Sequence, residues 1–325
     1  MQPTRREFLA LGAWAAAGAL LPRRLQAERA AAPAAGAVAG PAPAPAPLSL
    51  GYSLYGMKSL PLAAAFAACA RIGYGNVELC LAPGFPAEPA RFTKAERRAV
   101  GRLAGDLGVG ISSAMNDLRL FGNPSGHAAN LESIKAAAAV LRDTGAEAAA
   151  PIESILGGKP ADWEREKDRA ADRLRQWGDT AGREGVSIVV KGHAASACDD
   201  PAKLRWLIER AGGAHLGVNF DQSHYQLAGW SIADSLRALQ PWIRLVQVKD
   251  AAGTEADPHF LLPGDGQTDF TRYFRLLREA GYRGALVAEV SSQIFSVPGY
   301  DPLAAAKRCY DSLAGAAAAA NAWRG

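Results

Sequence analysis

Histidine, cysteine and methionine are scarce in this chain of 325 residues, numbering five, four and three. Cys69, Cys80, Cys198 and Cys309 include no close-spaced pair, which excludes a zinc ribbon and a Cys-x-x-Cys redox motif. Buried free thiols are the expectation, although an oxidising compartment would also permit disulfides. Net charge is small, with 36 Lys and Arg against 32 Asp and Glu, so no general electrostatic attraction for nucleic acid is expected. The apolar run at the N-terminus, Phe8 to Leu21, falls short of the roughly 20 residues that an ordinary membrane-spanning helix needs.

That run has a different reading. "TRREFLA" precedes it and small residues follow near Ala27, which describes a basic, then apolar, then cleavable export signal over residues 1–27. The paired Arg5 and Arg6 followed by Phe8 and Leu9 resemble the twin-arginine type, implying a periplasmic or secreted protein exported in folded form. An uncleaved anchor is the alternative; after cleavage no membrane partner is expected. Removing four arginines and one glutamate would leave a net charge of +1. Residues 28–47, "ERAAAPAAGAVAGPAPAPAP", form an Ala/Pro tether with nothing to pack.

From residue 48 to 325 the pattern becomes regular, and a single barrel domain is expected there. Eight short apolar runs, at 48–56, 75–81, 109–117, 146–154, 186–193, 215–224, 243–250 and 284–291, alternate with amphipathic stretches. Helices are predicted over 60–72, 94–107, 127–144, 160–184, 199–212, 231–240, 268–281 and 302–321, several stopped by a glycine such as Gly73, Gly108 or Gly145. Alternating strands and helices imply parallel pairing through crossovers, and eight units suggest a closed (β/α)8 TIM barrel. The competing open, doubly wound sheet would carry a Gly-rich phosphate loop after its first strand, and "LYGMKSL" is not one.

In such a barrel the residues ending each strand face one shared mouth. Those ends are Tyr55, Glu78, Asn116 with Asp117, Glu153, Lys191 with His193, Asp221 with His224, Gln247 with Asp250, and Glu289. So many polar groups around one mouth exceed what packing requires, and Glu289 on an apolar strand would be costly to bury without partners. Lys249 and Asp250 read as a structural pair opening a loop. His127, His215 and His259, at a helix start, a strand start and a loop, are not expected in the site.

Several segments carry a resemblance: "GVSIVVKGH", "VNFDQSH", "RLVQVKD", "LPGDGQTDFTRYFRLLREAGYRGALVAEV" and "GYGNVEL". Over roughly residues 48–320 the chain resembles the sugar phosphate isomerase/epimerase family of xylose-isomerase-like barrels. The resemblance implies proton transfer beside a carbonyl, with a divalent metal (Mn, Mg or Zn) held by Glu, Asp, His and Glu at successive strand ends. Asp221 and Glu289 match two of those ligands, and His224 matches a substrate-contacting histidine. Lys191 stands where the family has a glutamate, and Gln247 where it has a histidine.

Two carboxylates facing a lysine are a poor divalent site, so no metal cofactor is expected; Asp221 and Glu289 remain as a weak alternative pair of ligands. The expectation is that the Lys191 ammonium borders the vacated position and balances the acids. At about 4 Å and an effective dielectric near 20, each such contact is on the order of 4 kcal/mol before desolvation. Glu289, Lys191, Asp221 and His224 are therefore the expected catalytic residues, and Gln247, His193, Glu78, Glu153 and Asn116 the expected substrate-binding ones, for a small-molecule sugar. The expected function is that of a secreted isomerase/epimerase-like protein; the alternatives are a non-catalytic sugar-binding protein and a metal-independent keto-sugar lyase. An endonuclease-like relative would need a histidine-rich metal cluster, which five histidines mostly away from the mouth do not provide.

Overall fold

The computed structural model describes residues 47–122, 125–148 and 150–322. The expected export signal, and the tether apart from its last residue, lie outside the described residues. Eight parallel strands close a barrel: β1 (Ser49–Ser53), β2 (Asn76–Cys80), β3 (Gly110–Phe121), β4 (Pro151–Gly157), β5 (Ser187–Val190), β6 (Leu216–Asp221), β7 (Ile243–Val248) and β10 (Ala285–Ala288). β8 (Asp250–Gly253) and β9 (Pro258–Leu261) form a separate antiparallel hairpin. β10 returns beside β1, pairing Ser49 with Ala285 and Tyr52 with Ala288, and this contact closes the ring.

The strands are covered on both faces, so β5 and β6 are buried at every residue and read as continuous rather than alternating apolar runs. Inward and outward positions still alternate along each strand. Val189, Leu245 and Val287 make a small apolar cluster of their own, distinct from the large core beneath the helices. The residues two places further on, Lys191, Gln247 and Glu289, continue these inward-facing columns towards the carboxyl end of the barrel.

Helices over Leu62–Ile72, Lys94–Leu107, His127–Thr144, Trp163–Arg183, Pro201–Ala211, Ile232–Leu239, Phe270–Glu279 and Pro302–Ala322 form the outer ring. Thr93 and Glu96 make a reciprocal capping box that starts the second of these, and Gly108, in the left-handed region at φ 66°, ends it. Gly101 lets this helix approach the backbone of Thr144 so closely that a Cβ would collide with it. The last helix is tied to the first strand by Asn321, whose amide exchanges hydrogen bonds of 2.8 and 2.9 Å with the backbone of Leu48. All four cysteines are buried free thiols. Among the described residues no helix is long and apolar enough to cross a membrane.

Candidate active site

A cavity of about 340 Å³ opens at the carboxyl end of the barrel strands. Its floor is made by Lys191, Lys249 and Glu289. One wall is aromatic: Tyr55 stacks on Phe85 at 5.4 Å and meets Phe295 edge-on at 4.8 Å. His193 and His224 pack ring to ring at 4.4 Å on another side. Phe260, reaching in from β9, lies 4.8 Å from the His224 ring and 5.0 Å from Lys249 Nζ. Asn116 and the Asp117–Arg119 ion pair, 3.0 Å and about half exposed, stand towards the rim.

The strand-end residues converge on a buried charge cluster. Lys191 Nζ lies 2.8 Å from Glu289 Oε2, 3.0 Å from Glu153 Oε1 and 3.6 Å from Asp221 Oδ2, and donates to Gln247 Oε1 at 2.5 Å. A second ammonium completes it: Lys249 Nζ bonds Asp221 Oδ2 and stands 3.3 Å from Glu289 Oε1. Asp221 also accepts from the Ser223 hydroxyl and amide at 2.6 and 3.2 Å. Lys191 and Lys249 are each 1% exposed, so solvent screens neither.

The sequence reading paired Lys249 with Asp250 at the start of a loop, and the structure separates them. Asp250 opens β8 and accepts from the backbone amides of Gly264, Gly266 and Thr268, holding the following turn. Lys249 turns inward instead, because it lies two places after Gln247 and continues that face just past the end of β7. The loop reading of His259 is corrected as well: it sits on β9, pairs with Asp257 at 3.2 Å, and lies outside the site.

Beneath the floor lies a second, fully enclosed layer. Gln247, Glu78 and Glu153 are 0% exposed and do not line the cavity. Gln247 Nε2 donates to Glu78 Oε1 at 2.8 Å and to Glu153 Oε2 at 3.1 Å, while its Oε1 accepts from Lys191 and from Asn219 Nδ2. An amide has two hydrogens and two lone pairs to offer, and all are used within the protein. None is left for a sugar hydroxyl, so the substrate-binding expectation for Gln247, Glu78 and Glu153 gives way to a supporting one. Asn219, absent from the sequence candidates, is two places before Asp221 on the same face of β6.

Protonation follows from these neighbours. Burial alone would lower the Lys191 pKa, but Glu153, Glu289 and Asp221 outweigh it and hold the amine charged. Burial opposes ionisation of Glu289 and Asp221 too, yet the two lysines win, pulling Glu289 to about 2 and Asp221 below its ordinary value. Glu78 has no cation in contact; burial, and then the charge of Glu153, raise it to about 8. At neutral pH it is a neutral acid bonded to Ser113 Oγ at 2.9 Å. Burial and then Lys191 and Lys249 hold His193 near 3; burial, His193 and Lys249 keep His224 well below the usual imidazole range. Both rings are thus neutral: His193 Nδ1 donates to the Lys191 carbonyl at 3.2 Å, and His224 Nδ1 accepts from the Ala194 amide at 3.2 Å.

Asp221 and Glu289 accordingly spend their facing oxygens on ammonium hydrogens, and Glu153 Oε1 faces Lys191 at 3.0 Å as an ion-pair partner. Among the described residues no group of three His, Cys, Asp or Glu side chains is arranged to hold a metal ion.

A closed eight-stranded barrel with a charged cavity at the carboxyl end of its strands defines the class: a TIM barrel with the layout of an enzyme of that fold. Residues 66–313 match the family described as xylose isomerase-like TIM barrel, and the chain belongs to that family. An inosose dehydratase of Lacticaseibacillus casei is 24% identical over 175 residues, 49% of this chain and 59% of that protein. The chain therefore spans less than two thirds of that relative's length. A xylose isomerase domain protein of Alicyclobacillus acidocaldarius superposes with a TM-score of 0.69 at 20% identity, covering 84% of this chain and 99% of that one. The IolI protein, solved with a zinc atom, superposes with a TM-score of 0.69 at 15% identity, covering 82% and 99%. These structural likenesses show the fold.

Proposed function

We propose that the protein is an enzyme that moves a proton at the carbon next to the carbonyl of a small, polyhydroxylated sugar or keto-sugar, without a metal ion. The observation that carries this reading is the Glu289 carboxylate on the cavity floor between two ammonium groups, 2.8 Å from Lys191 and 3.3 Å from Lys249. Relatives of this fold include a zinc-bound protein, but here the site is degenerate. The donor oxygens a divalent ion would need are committed to lysine hydrogens, and bringing in such an ion would set two further positive charges against two ammoniums.

In the proposed chemistry Glu289 takes the proton from carbon, and the electron pair moves onto the carbonyl oxygen. The developing enolate faces positive charge that is already in place, the form of stabilisation that contributes most in such reactions. From there the proton can return to the former carbonyl carbon while the hydroxyl proton of the deprotonated carbon passes to the enolate oxygen, completing an isomerisation. The proton can instead leave as water with the hydroxyl of the next carbon along, as the enolate reforms the carbonyl and a carbon–carbon double bond, in a dehydration by a keto-sugar lyase. One proton carrier suffices for both, which fits the loss of the second glutamate at position 191. The neutral His193 and His224, with Asn116, are assigned to the substrate hydroxyls, and the aromatic wall to its apolar ring face. The relative named as an inosose dehydratase favours the dehydration branch. The export reading joins this proposal: a twin-arginine signal over residues 1–27 would place the enzyme in the periplasm or outside the cell.

A second reading, a sugar-binding protein without turnover, is favoured by one observation. A carboxylate held near pKa 2 is a weak base. The test is incubation of the chelator-treated full chain with aldoses, ketoses and cyclic keto-polyols in heavy water, followed by NMR. Deuterium entering the carbon beside the carbonyl, or an elimination product, abolished by Glu289→Gln, supports the enzyme. Saturable binding with neither signal supports the binding protein.

A further inference from the structure

Gln247 occupies an unusual position: it is directly beneath the reacting groups, fully enclosed, and touches no part of the cavity. Its four hydrogen bonds allow one orientation only. Rotating the amide by half a turn would set its NH2 against the Lys191 ammonium and the Asn219 amide nitrogen. The same rotation would set its oxygen against Glu78 and Glu153. The contacts with Lys191, which can only donate, and with the Glu153 carboxylate, which accepts, now 2.5 and 3.1 Å, would become unfavourable at once.

The consequence falls on Lys191. An ammonium has three hydrogens: two go to Gln247 Oε1 and Glu289 Oε2, and Glu153 Oε1 stands 3.0 Å away as an ion-pair partner. Glu153 and Asp221 draw the ammonium away from Glu289, and they do so from 3.0 and 3.6 Å. An oriented neutral acceptor adds a fixed point without adding charge. A carboxylate at 247 would add a further negative charge to the cluster, and an apolar side chain would leave one ammonium hydrogen bare.

We propose that Gln247 is a positioning residue: locked by Glu78, Glu153 and Asn219, its amide oxygen fixes the Lys191 ammonium against Glu289 at the cavity floor. This inference rests on the proposed role of Lys191 and Glu289 in proton transfer, and its test separates the two. Full-length protein carrying 15N-lysine gives an ammonium resonance for Lys191, assigned by its loss in Lys191→Met. In Gln247→Met, which keeps length and volume but offers no amide oxygen, the Lys191 resonance shifts and its hydrogens exchange faster. Loss of one hydrogen bond to a charged group predicts a fall in kcat of roughly ten- to a hundredfold. KM stays nearly unchanged, because Gln247 does not touch the cavity. Asn219→Ala, which frees one side of the amide and leaves every carboxylate in place, moves the same signals in the same direction by less, and decides the matter if Gln247→Met does not fold.

A purely structural role would lower the yield of folded protein and leave the Lys191 resonance of that protein where it was. An unmoved resonance in the folded variants overturns the proposal, and so does an unchanged kcat in an active enzyme. If the wild type exchanges no proton with any sugar while the resonance moves, the positioning of Lys191 stands and the enzymatic reading fails.

Discussion

Replacing Lys191 by methionine removes the charge but nearly keeps the volume, and so isolates the electrostatic contribution of the amine. In the wild type its Nζ stands 2.8, 3.0 and 3.6 Å from Glu289, Glu153 and Asp221. The variant leaves Lys249 as the one ammonium among those three acids. Breaking a buried ion pair from one side costs about 3–5 kcal/mol, several times the roughly 1 kcal/mol of an average substitution. The penalty depends on pH with a definite sign. Glu289 is held near 2 in the folded wild type, so its favourable contribution is present above the unfolded value of about 4.5 and is lost as pH falls towards 2. In Lys191→Met that contribution shrinks, and the unpaired acids take up protons on folding, which favours the variant as pH falls. Urea unfolding of both proteins at pH 8, 6 and 4.5 should therefore show the largest penalty at pH 8 and the smallest at pH 4.5. Adding Glu153→Gln should recover part of it at pH 8. A penalty below about 1 kcal/mol that does not vary with pH would refute the charge argument.

Glu78, raised to about 8, behaves in the opposite way: its contribution to stability is present below about pH 4.5 and is lost as pH rises to 8. Glu78→Gln, a neutral isostere, should match the wild type near pH 4.5 and become the more stable protein by pH 8 in urea unfolding; parallel curves would show that Glu78 is ionised in the fold. Because His193 is held near 3 and His224 well below the usual range, the rate of proton exchange should show no inflection near pH 6.5, and an inflection there that disappears in His193→Asn would contradict the neutral assignment. Phe260→Ala removes the ring that the β8–β9 hairpin lays over Lys249 and His224, and should raise KM several-fold with a smaller change in kcat, read by steady-state kinetics on whichever sugar the exchange screen identifies.

The barrel and most of its mouth were legible because two periodicities are written plainly in the chain. Amphipathic stretches stopped by Gly73, Gly108 and Gly145 placed the helices, and apolar runs ending in Lys191, Asp221 and Glu289 placed the strand ends. Lys249 was hidden by its neighbour, since Lys-Asp in sequence looks like a local pair. Counting in twos along β7, from Leu245 through Gln247, would have brought it inward, as counting back from Asp221 would have found Asn219. Depth was harder to read. Glu78 and Glu153 end strands as Glu289 does, but only the assembled ring shows that Gln247 seals them below the floor. The hairpin of β8 and β9 was missed because its strands, Asp250–Gly253 and Pro258–Leu261, are short and mostly exposed or half-buried, and so lack an apolar signature.

Titration of manganese or zinc into the chelator-treated full chain, followed by calorimetry, asks whether amines or an ion hold these acids together. The account predicts no saturable binding at the cavity in the wild type, and its appearance in Lys191→Glu combined with Gln247→His, which exchanges an amine and an amide for a carboxylate and an imidazole. Tight stoichiometric binding by the wild type, abolished by Asp221→Asn, would contradict it.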